Sequence, residues 1–371
     1  MLNQEFMNTL SPVELQFFQS YAYKLVKEKV TEETENYENL SLNVCECPTC
    51  HFKTIRRNGK KNGRQRFECM NPECQHRYFT VTKGTFFYHT RSTYQTWLVF
   101  LGCELNHLTL EQETVSTGKS KTTCFNMRHT LYSAISRKVI QARLAGSTQL
   151  DATYTRINLK GTKPENMLRI SKKRGKPKTC LVSKKLGCNP NHKVCIVTAV
   201  DEYDNILYRI AGLGSESTEK YMQFQSYFKK SAMIIADGSY SIGLFARQIS
   251  AKLDQIHSEK DEKRYTTKNG NSIGDVNELH TELKNLMRHY HGISTRHLQG
   301  YLDWIVICKD LKYTVEPKRR PFVSYMNTME LEPKFITSNI CTQPMPISLY
   351  EAYGSYHYGI FANLNKDQHL S

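Results

Sequence analysis

Met233-Ile234-Ile235-Ala236-Asp237-Gly238 is a short apolar run that ends in a carboxylate and a turn residue. An isoleucine-rich run of this length reads as a buried strand, and Asp-Gly directly after it marks the turn that stops it. A carboxylate in that place stands at the C-terminal edge of a sheet, where ligands bind in α/β folds. A second carboxylate, Asp151, lies inside another strand-like run, Leu150-Asp151-Ala152-Thr153-Tyr154. If the two strands are neighbours, both carboxylates point at one spot. Such a pair is a natural seat for Mg2+ or Mn2+, which take hard oxygen ligands.

Around these runs the chain alternates. Residues 150–159, 194–201, 205–211 and 233–236 are rich in Val, Ile and Tyr and predict strands. Helical spacing predicts helices over 217–230, 240–253, 275–291 and 295–308. The helix from Asp275 carries a third polar group. Asn277, His280 and Lys284 fall at i, i+3 and i+7 on one face, while Leu279, Leu283 and Leu286 line another and hold the helix on the sheet. The polar face offers a metal ligand and a cation for a phosphate.

Upstream, Cys47-Pro48-Thr49-Cys50 is followed by Cys69-Met70-Asn71-Pro72-Glu73-Cys74. Two cysteine pairs on tight turns can place four thiolates around a zinc ion, with Cys45 and His51 as alternative donors. The stretch between them suits a hairpin, and a module this small needs the metal to hold it folded. It is strongly basic. Lys53, Arg56, Arg57, Lys60, Lys61 and Arg64 are suited to phosphate contacts. Next come a supporting helix from Tyr94 to Glu104, a second helix capped by Thr109, a turn at Gly118-Lys119-Ser120 and a third helix from Lys121. This is a helix-turn-helix pattern whose Lys121, Thr122, Thr123, Asn126 and Arg128 suit phosphates and base edges.

The whole chain has 371 residues and a formal net charge of +16, which favours polyanions such as nucleic acid or an anionic membrane. No run approaches the roughly 18 apolar residues of a membrane span. The first twenty residues lack a basic start and apolar core, so the reading expects a reducing cytosol, where the 12 cysteines serve as metal ligands or core residues. An amphipathic helix is expected over 1–30, followed by an acidic linker. A basic insertion over 160–193 holds Cys180, Cys188 and His192, which with Cys195 just beyond it could form a second metal site. A proline-bearing tail from residue 309 has no recognisable motif.

Together these residues resemble bacterial insertion-sequence transposases of the ISXO-two-like type. The resemblance runs from about Cys47 to Cys308. It is most specific in Val276-Asn-Glu-Leu-His280-Thr-Glu-Leu-Lys284, followed by Gly292-Ile-Ser-Thr-Arg-His-Leu298 and Tyr301-Leu-Asp-Trp304. It implies an α+β multidomain chain: an N-terminal helix and acidic linker (1–40), a zinc ribbon (41–90), a helix-turn-helix (91–140), a ribonuclease-H-like α/β catalytic core with a mixed sheet (141–310) and a C-terminal extension (311–371). It further implies Asp151, Asp237 and Asn277 as the catalytic cation ligands, Lys284 as the basic partner, and structural zinc on Cys47, Cys50, Cys69 and Cys74. The implied partners are double-stranded DNA, as terminal repeats and as target, and further copies of the chain in a dimeric or larger synaptic assembly. No membrane is implied, and the expected place is the bacterial cytoplasm, on the nucleoid. One departure stands out: the family carries a carboxylate directly after the first Asp, and here that residue is Ala152. A catalytically weakened or domesticated DNA-binding descendant and a zinc-ribbon transcription factor are the competing readings.

Overall fold

The computed structural model describes residues 11, 44–61, 64–80, 92–139, 143–160, 193–228, 230–256, 266–313, 340 and 343–348. The expected N-terminal helix, most of the basic insertion with Cys180, Cys188 and His192, and most of the tail lie outside them. Two compact units divide between Arg128 and His129.

The first unit opens with a small antiparallel sheet, β1 (Ile55–Lys61), β2 (Arg64–Cys69) and β3 (Tyr78–Thr80). Phe67 and Phe79 pair across β2 and β3 and stack at 5.7 Å, forming with Cys47 and Cys69 a core of four buried residues. Three helices follow: α1 (Tyr94–Leu105), α2 (Leu110–Thr117) and the start of α3 (Lys121–Val139). Thr109 caps α2 in a reciprocal capping box with Gln112. Gly118 ends it in the left-handed conformation (φ 66°), where a side chain would be strained.

Arg128 on α3 ties these helices together. It is 2% exposed, and its guanidinium donates to Glu104 of α1 at 2.6 Å, to Glu113 of α2 and to the Leu108 carbonyl at 2.9 Å. Burial and the Glu104 charge push the Glu113 carboxyl up to about 9, against the pull of Arg128. Arg128 thus sits between two buried carboxyl groups, of which Glu113 is held in its protonated form.

The second unit is a mixed five-stranded sheet with helices on both faces. Its strands are β4 (Ala145–Arg156), β5 (Lys193–Asp201), β6 (Ile206–Leu213), β7 (Lys230–Ala236) and β8 (Lys252–Gln255), in the order β6-β5-β4-β7-β8. β4, β5 and β6 pair antiparallel, while β7 and β8 run parallel to β4. Parallel neighbours need a crossover, and α5 (Tyr240–Gln248) supplies the one between β7 and β8. Strand alternation sorts the core. Leu150, Cys195, Val197 and Ala199 pack with Tyr221, Ile242, Phe245 and Ala246 on one face. Cys195 is therefore a core residue. On the other face lies α6 (Gly274–His289), which buries Val276, Leu279, Leu283 and Leu286. α7 (Leu298–Tyr313) follows α6 and anchors to β6 and to the end of α3: Asp303 accepts from Arg209 at 2.9 Å and from Ser136, and Trp304 stacks on Tyr132.

Two expected helices are shorter than their periodicity suggests. The helix after β6 is α4 (Thr218–Met222), with a 3-10 turn at Gln225–Tyr227 before β7. α5 stops at Gln248, and the polar stretch beyond it is edge strand β8, held by parallel pairing that local periodicity does not report.

Replacing Arg128 with Met leaves two carboxylates buried without their cation. Breaking a buried pair this way costs on the order of 3–5 kcal/mol. The first unit's denaturation midpoint is expected to fall accordingly, and a triple variant that also carries Glu104→Leu and Glu113→Leu to recover much of the loss. An unchanged midpoint in Arg128→Met contradicts the role.

Candidate functional site

Four cysteines converge in the ribbon. Every pair of sulfurs among Cys47, Cys50, Cys69 and Cys74 lies within 4.8 Å, with Cys47 to Cys74 at 3.8 Å and Cys50 to Cys69 at 3.6 Å. Tetrahedral zinc with bonds near 2.3 Å sets sulfurs about 3.8 Å apart, so the donor set fits the ion. The turns form locally: the Thr49 amide donates to Cys47 Sγ at 3.4 Å and the His51 amide to the Cys47 carbonyl at 2.9 Å. Burial raises Cys47, but the amides of Cys50 and Thr49 and the neighbouring thiols outweigh it and hold the thiol at about 6. Burial pushes Cys69 up to about 12 and raises Cys74. Without a cation nearby, Cys69 and Cys74 keep their protons. The two alternative donors stand apart from this group: Cys45 is exposed, and His51 turns its Nδ1 to Glu46 at 2.9 Å.

The basic residues expected to meet phosphates divide. Lys53, Arg56, Arg57 and Lys60 are exposed, although Arg56 also pairs with the buried Glu68 at 2.6 Å, which Arg77 shares at 3.0 Å. The side chains of Lys61 and Arg64 lie outside the described residues. On α3, Lys121 and Thr122 are exposed, Lys121 pairing with Glu111 at 2.5 Å, and Asn126 is half-buried. Arg128 is a correction. Its helical position suggests a base contact, but the carboxylates of Glu104 and Glu113 draw it into the core of the helix trio. Helical spacing alone does not reveal such partners.

The carboxylates of the second unit stand level with each other. Gln149 on β4 is in register with Ile235 on β7; two residues further on, Asp151 is still on β4 and Asp237 stands directly after the end of β7. β7 ends at Ala236 while β4 runs on to Arg156 with β5 beside it, so the flank of β4 is open where Asp151 stands. The Asp237 carboxylate accepts from the Ser239 amide at 3.0 Å and is exposed. Asp151 is half-buried, and its Oδ1 accepts from the Ala152 amide at 2.7 Å.

Helix α6 is moored beside Asp151. Gln149 donates to Asp275 at 2.6 Å and accepts from the Asp275 amide at 3.1 Å, fixing the start of the helix. Asn277 and Lys284 are exposed on α6, whereas His280 between them is 5% exposed and turned to the sheet. Burial, and then the Lys284 charge, lower His280 to about 4, so its ring is neutral. Burial raises Asp151 to about 7; the Asp237 and Glu216 charges add to this, against the Ala152 amide and Lys284. The fold thus brings Asp151, Asp237 and Lys284 into one electrostatic neighbourhood and places Asn277 one turn before His280.

Two participants escape a reading of sequence. Glu216 lies in the loop after β6, where Tyr221 Oη and Ser239 Oγ (3.0 Å) donate to its carboxylate. No periodicity marks it. The other is the contact of His280 with Asp151, Nδ1 to Oδ2 at 3.7 Å. Ala152 proves to lie on the opposite strand face, packed against the Leu150 cluster. A carboxylate there would point away from Asp151.

No protein-family model matches the chain, and no curated protein matches it in sequence. Among solved structures, a chain of the cryo-electron-microscopy structure of the simian T-cell lymphotropic virus intasome in complex with PP2A regulatory subunit B56 gamma is similar at 10% identity and a TM-score of 0.26. The match covers 56% of this chain and 65% of that one. A likeness at that level carries no argument about fold or activity. Among the described residues, no helix is long and apolar enough to cross a membrane.

Two outcomes follow from these sites. Protein purified without chelator is expected to carry one zinc per chain by elemental analysis, and Cys69→Ser to lose it; full zinc in that variant rules out the four-thiolate centre. Asp151 holds its proton more tightly folded than unfolded. With no divalent cation added, it therefore withdraws stability progressively as pH rises from about 4 to about 7, and no further above that. The melting temperature of Asp151→Asn should rise relative to wild type over the same interval and level off above it. A gap that does not change with pH contradicts the burial of this carboxyl.

Proposed function

We propose that this chain is a DNA transposase with a ribonuclease-H-like catalytic core, which cleaves DNA at the ends of a mobile element and joins the freed ends to target DNA. The observation that carries the reading is the placement of Asp151 on β4, two residues past the Gln149–Ile235 pair, and of Asp237 directly after the end of the parallel strand β7, close enough for its charge to act on Asp151. The strand order β6-β5-β4-β7-β8, with three antiparallel strands followed by two parallel ones, supports it, as does the third polar position, Asn277, on a late helix. The four-cysteine ribbon and the helix trio upstream supply a DNA-recognition half, and the +16 charge favours a polyanion.

The donor set consists of hard oxygens, two carboxylates and an amide, and suits Mg2+ or Mn2+. When bound, such a cation supplies Lewis-acid stabilisation of the phosphate and lowers the pKa of the attacking hydroxyl. Asp151 and Asp237 hold it, and Asn277 completes the site as a neutral oxygen donor. Lys284 places a positive charge beside a scissile phosphate. Water attacks the phosphodiester at the element's end, forming one P–O bond as the bond to the 3′ oxygen breaks. The freed 3′-hydroxyl then attacks a target phosphodiester, so one P–O bond again replaces another and no oxidant or energy carrier is needed. Ribbon residues Lys53, Arg57 and Lys60 and helix residues Lys121, Thr122 and Asn126 contact the terminal repeats. Two ends must be joined, so the working form is a dimer or a larger synaptic assembly.

Cleavage and strand transfer on duplexes carrying the inverted repeats that flank the gene test this directly. Wild type with Mg2+ is expected to nick and join, and Asp151→Ala and Asp237→Ala each to lose at least a hundredfold, on the order of what removing a key electrostatic group costs. Equal activity in all three removes the assigned site. Tight repeat binding by a wild type that never cleaves points to a DNA-binding descendant or a transcription factor.

A further inference from the structure

Asp151 and Thr198 are direct cross-strand partners on β4 and β5 and share the face that α6 covers. Over this pair sits His280. Its Nε2 lies 2.9 Å from Thr198 Oγ1, and its Nδ1 lies 3.7 Å from Asp151 Oδ2. Thr198 is fully buried and His280 nearly so, so water does not serve these groups. Electrostatics choose between the two tautomers. With the proton on Nε2, the Nδ1 lone pair faces a carboxylate oxygen and repels it. With the proton on Nδ1, the Thr198 hydroxyl donates to Nε2 and the Nδ1–H is directed at Asp151. The second arrangement lets Thr198 donate to Nε2 and turns a donor, not a lone pair, toward Asp151. Asp151 Oδ1 is already engaged by the Ala152 amide, which leaves Oδ2 on the side of the imidazole.

We propose that His280 is a positioning residue, which uses Thr198 to fix its tautomer and its Nδ1–H to aim the Asp151 carboxylate at the cation. This rests on the cation-site reading given above. The separation of 3.7 Å is longer than a hydrogen bond, and contacts of this kind commonly tighten when the site is loaded. Outer-shell partners that orient a ligand typically govern affinity by ten- to a hundredfold. The position on α6 adds a second consequence. Asn277 stands three residues before His280 and Lys284 four residues after it, so the grip on Thr198 also sets the rotation of the helix that carries both. One imidazole thereby coordinates the strand-borne ligand with the helix-borne groups.

Mn2+ binding to the full-length, zinc-loaded chain, read from the electron paramagnetic resonance of the free ion, tests this without activity. Wild type is expected to bind and Asp151→Asn to lose binding. His280→Leu should weaken affinity roughly tenfold or more. His280→Asn keeps an N–H donor close to the place of Nδ1 and should recover most of the loss. Thr198→Val, which removes only the hydroxyl, should fall between. Wild-type affinity in His280→Leu, with Asp151→Asn still inactive in binding, overturns the proposal alone. Equal losses in His280→Leu and His280→Asn reduce His280 to packing and overturn it too. If His280→Leu does not fold, Thr198→Val decides, and wild-type affinity there is the overturning result. Absent binding in wild type, or binding that survives Asp151→Asn, removes the cation site and this proposal with it.

Discussion

The parallel pairing of β4 with β7 is the constraint on which the second unit depends. Side chains of two paired strands stand level only in one register, and a slip of one residue would turn every side chain on β7 to the other face. Here the register brings Gln149 beside Ile235 and thereby carries Asp151 to the level of Asp237. The register is held by burial. Ile234 and Ala236 face one apolar layer, and β5 on the other flank of β4 is buried along nearly its whole length. A strand covered on both faces tolerates little sliding. The position of two acidic groups is thus paid for by apolar side chains that never touch them.

That placement carries an electrostatic cost. Asp151 is half-buried beside Asp237 and Glu216, with Lys284 the cation that offsets them in its environment. Burial and like charge both disfavour its ionised form. A group so placed gains most from a cation, which is why strained carboxylates mark sites of chemistry more often than sites of packing. The first unit resolves a comparable conflict differently. There Glu104 and Glu113 are buried together, and Arg128 is drawn between them, so the charge is settled within the protein and nothing is left to recruit. The ribbon is a third case: burial keeps Cys69 and Cys74 protonated, and the cluster of four thiols is arranged so that one metal ion could relieve this.

Much of this was legible in the sequence because it rests on local pattern. The apolar period placed α6 and its buried leucines, the Asp-Gly step ended β7, and the cysteine pairs named their own cluster. What was not legible depends on partners distant in the chain. The stretch after Gln248 continues a helical pattern, yet Lys252–Gln255 becomes a strand because β7 offers it a parallel edge. Arg128 looks like a surface cation until two carboxylates from other helices claim it. Asn277, His280 and Lys284 share a helical stripe, but the stripe does not say which member turns inward. Thr198 decides that, from 82 residues away. Glu216 belongs to no repeat pattern at all; Tyr221 and Ser239 hold its carboxylate.

Ala152 illustrates how far strand geometry limits what a neighbouring residue can do. Successive side chains on a strand point to opposite faces. With Asp151 on the α6 face, residue 152 belongs to the layer of Leu150, Val197 and Phe245, and a carboxylate there would be buried among apolar groups. Ala152 packs in this apolar layer, on the strand face away from Asp151. The extra negative charge near Asp151 comes from Glu216, which arrives from a separate connection and bonds to Ser239, two residues past Asp237. Because Ser239 also begins α5, a shift of the loop after β6 moves both the third carboxylate and the turn that orients the second. The electrostatics of the site are therefore tied to two connections of the fold as well as to its strands, since the Glu216 charge acts on Asp151 from the loop after β6.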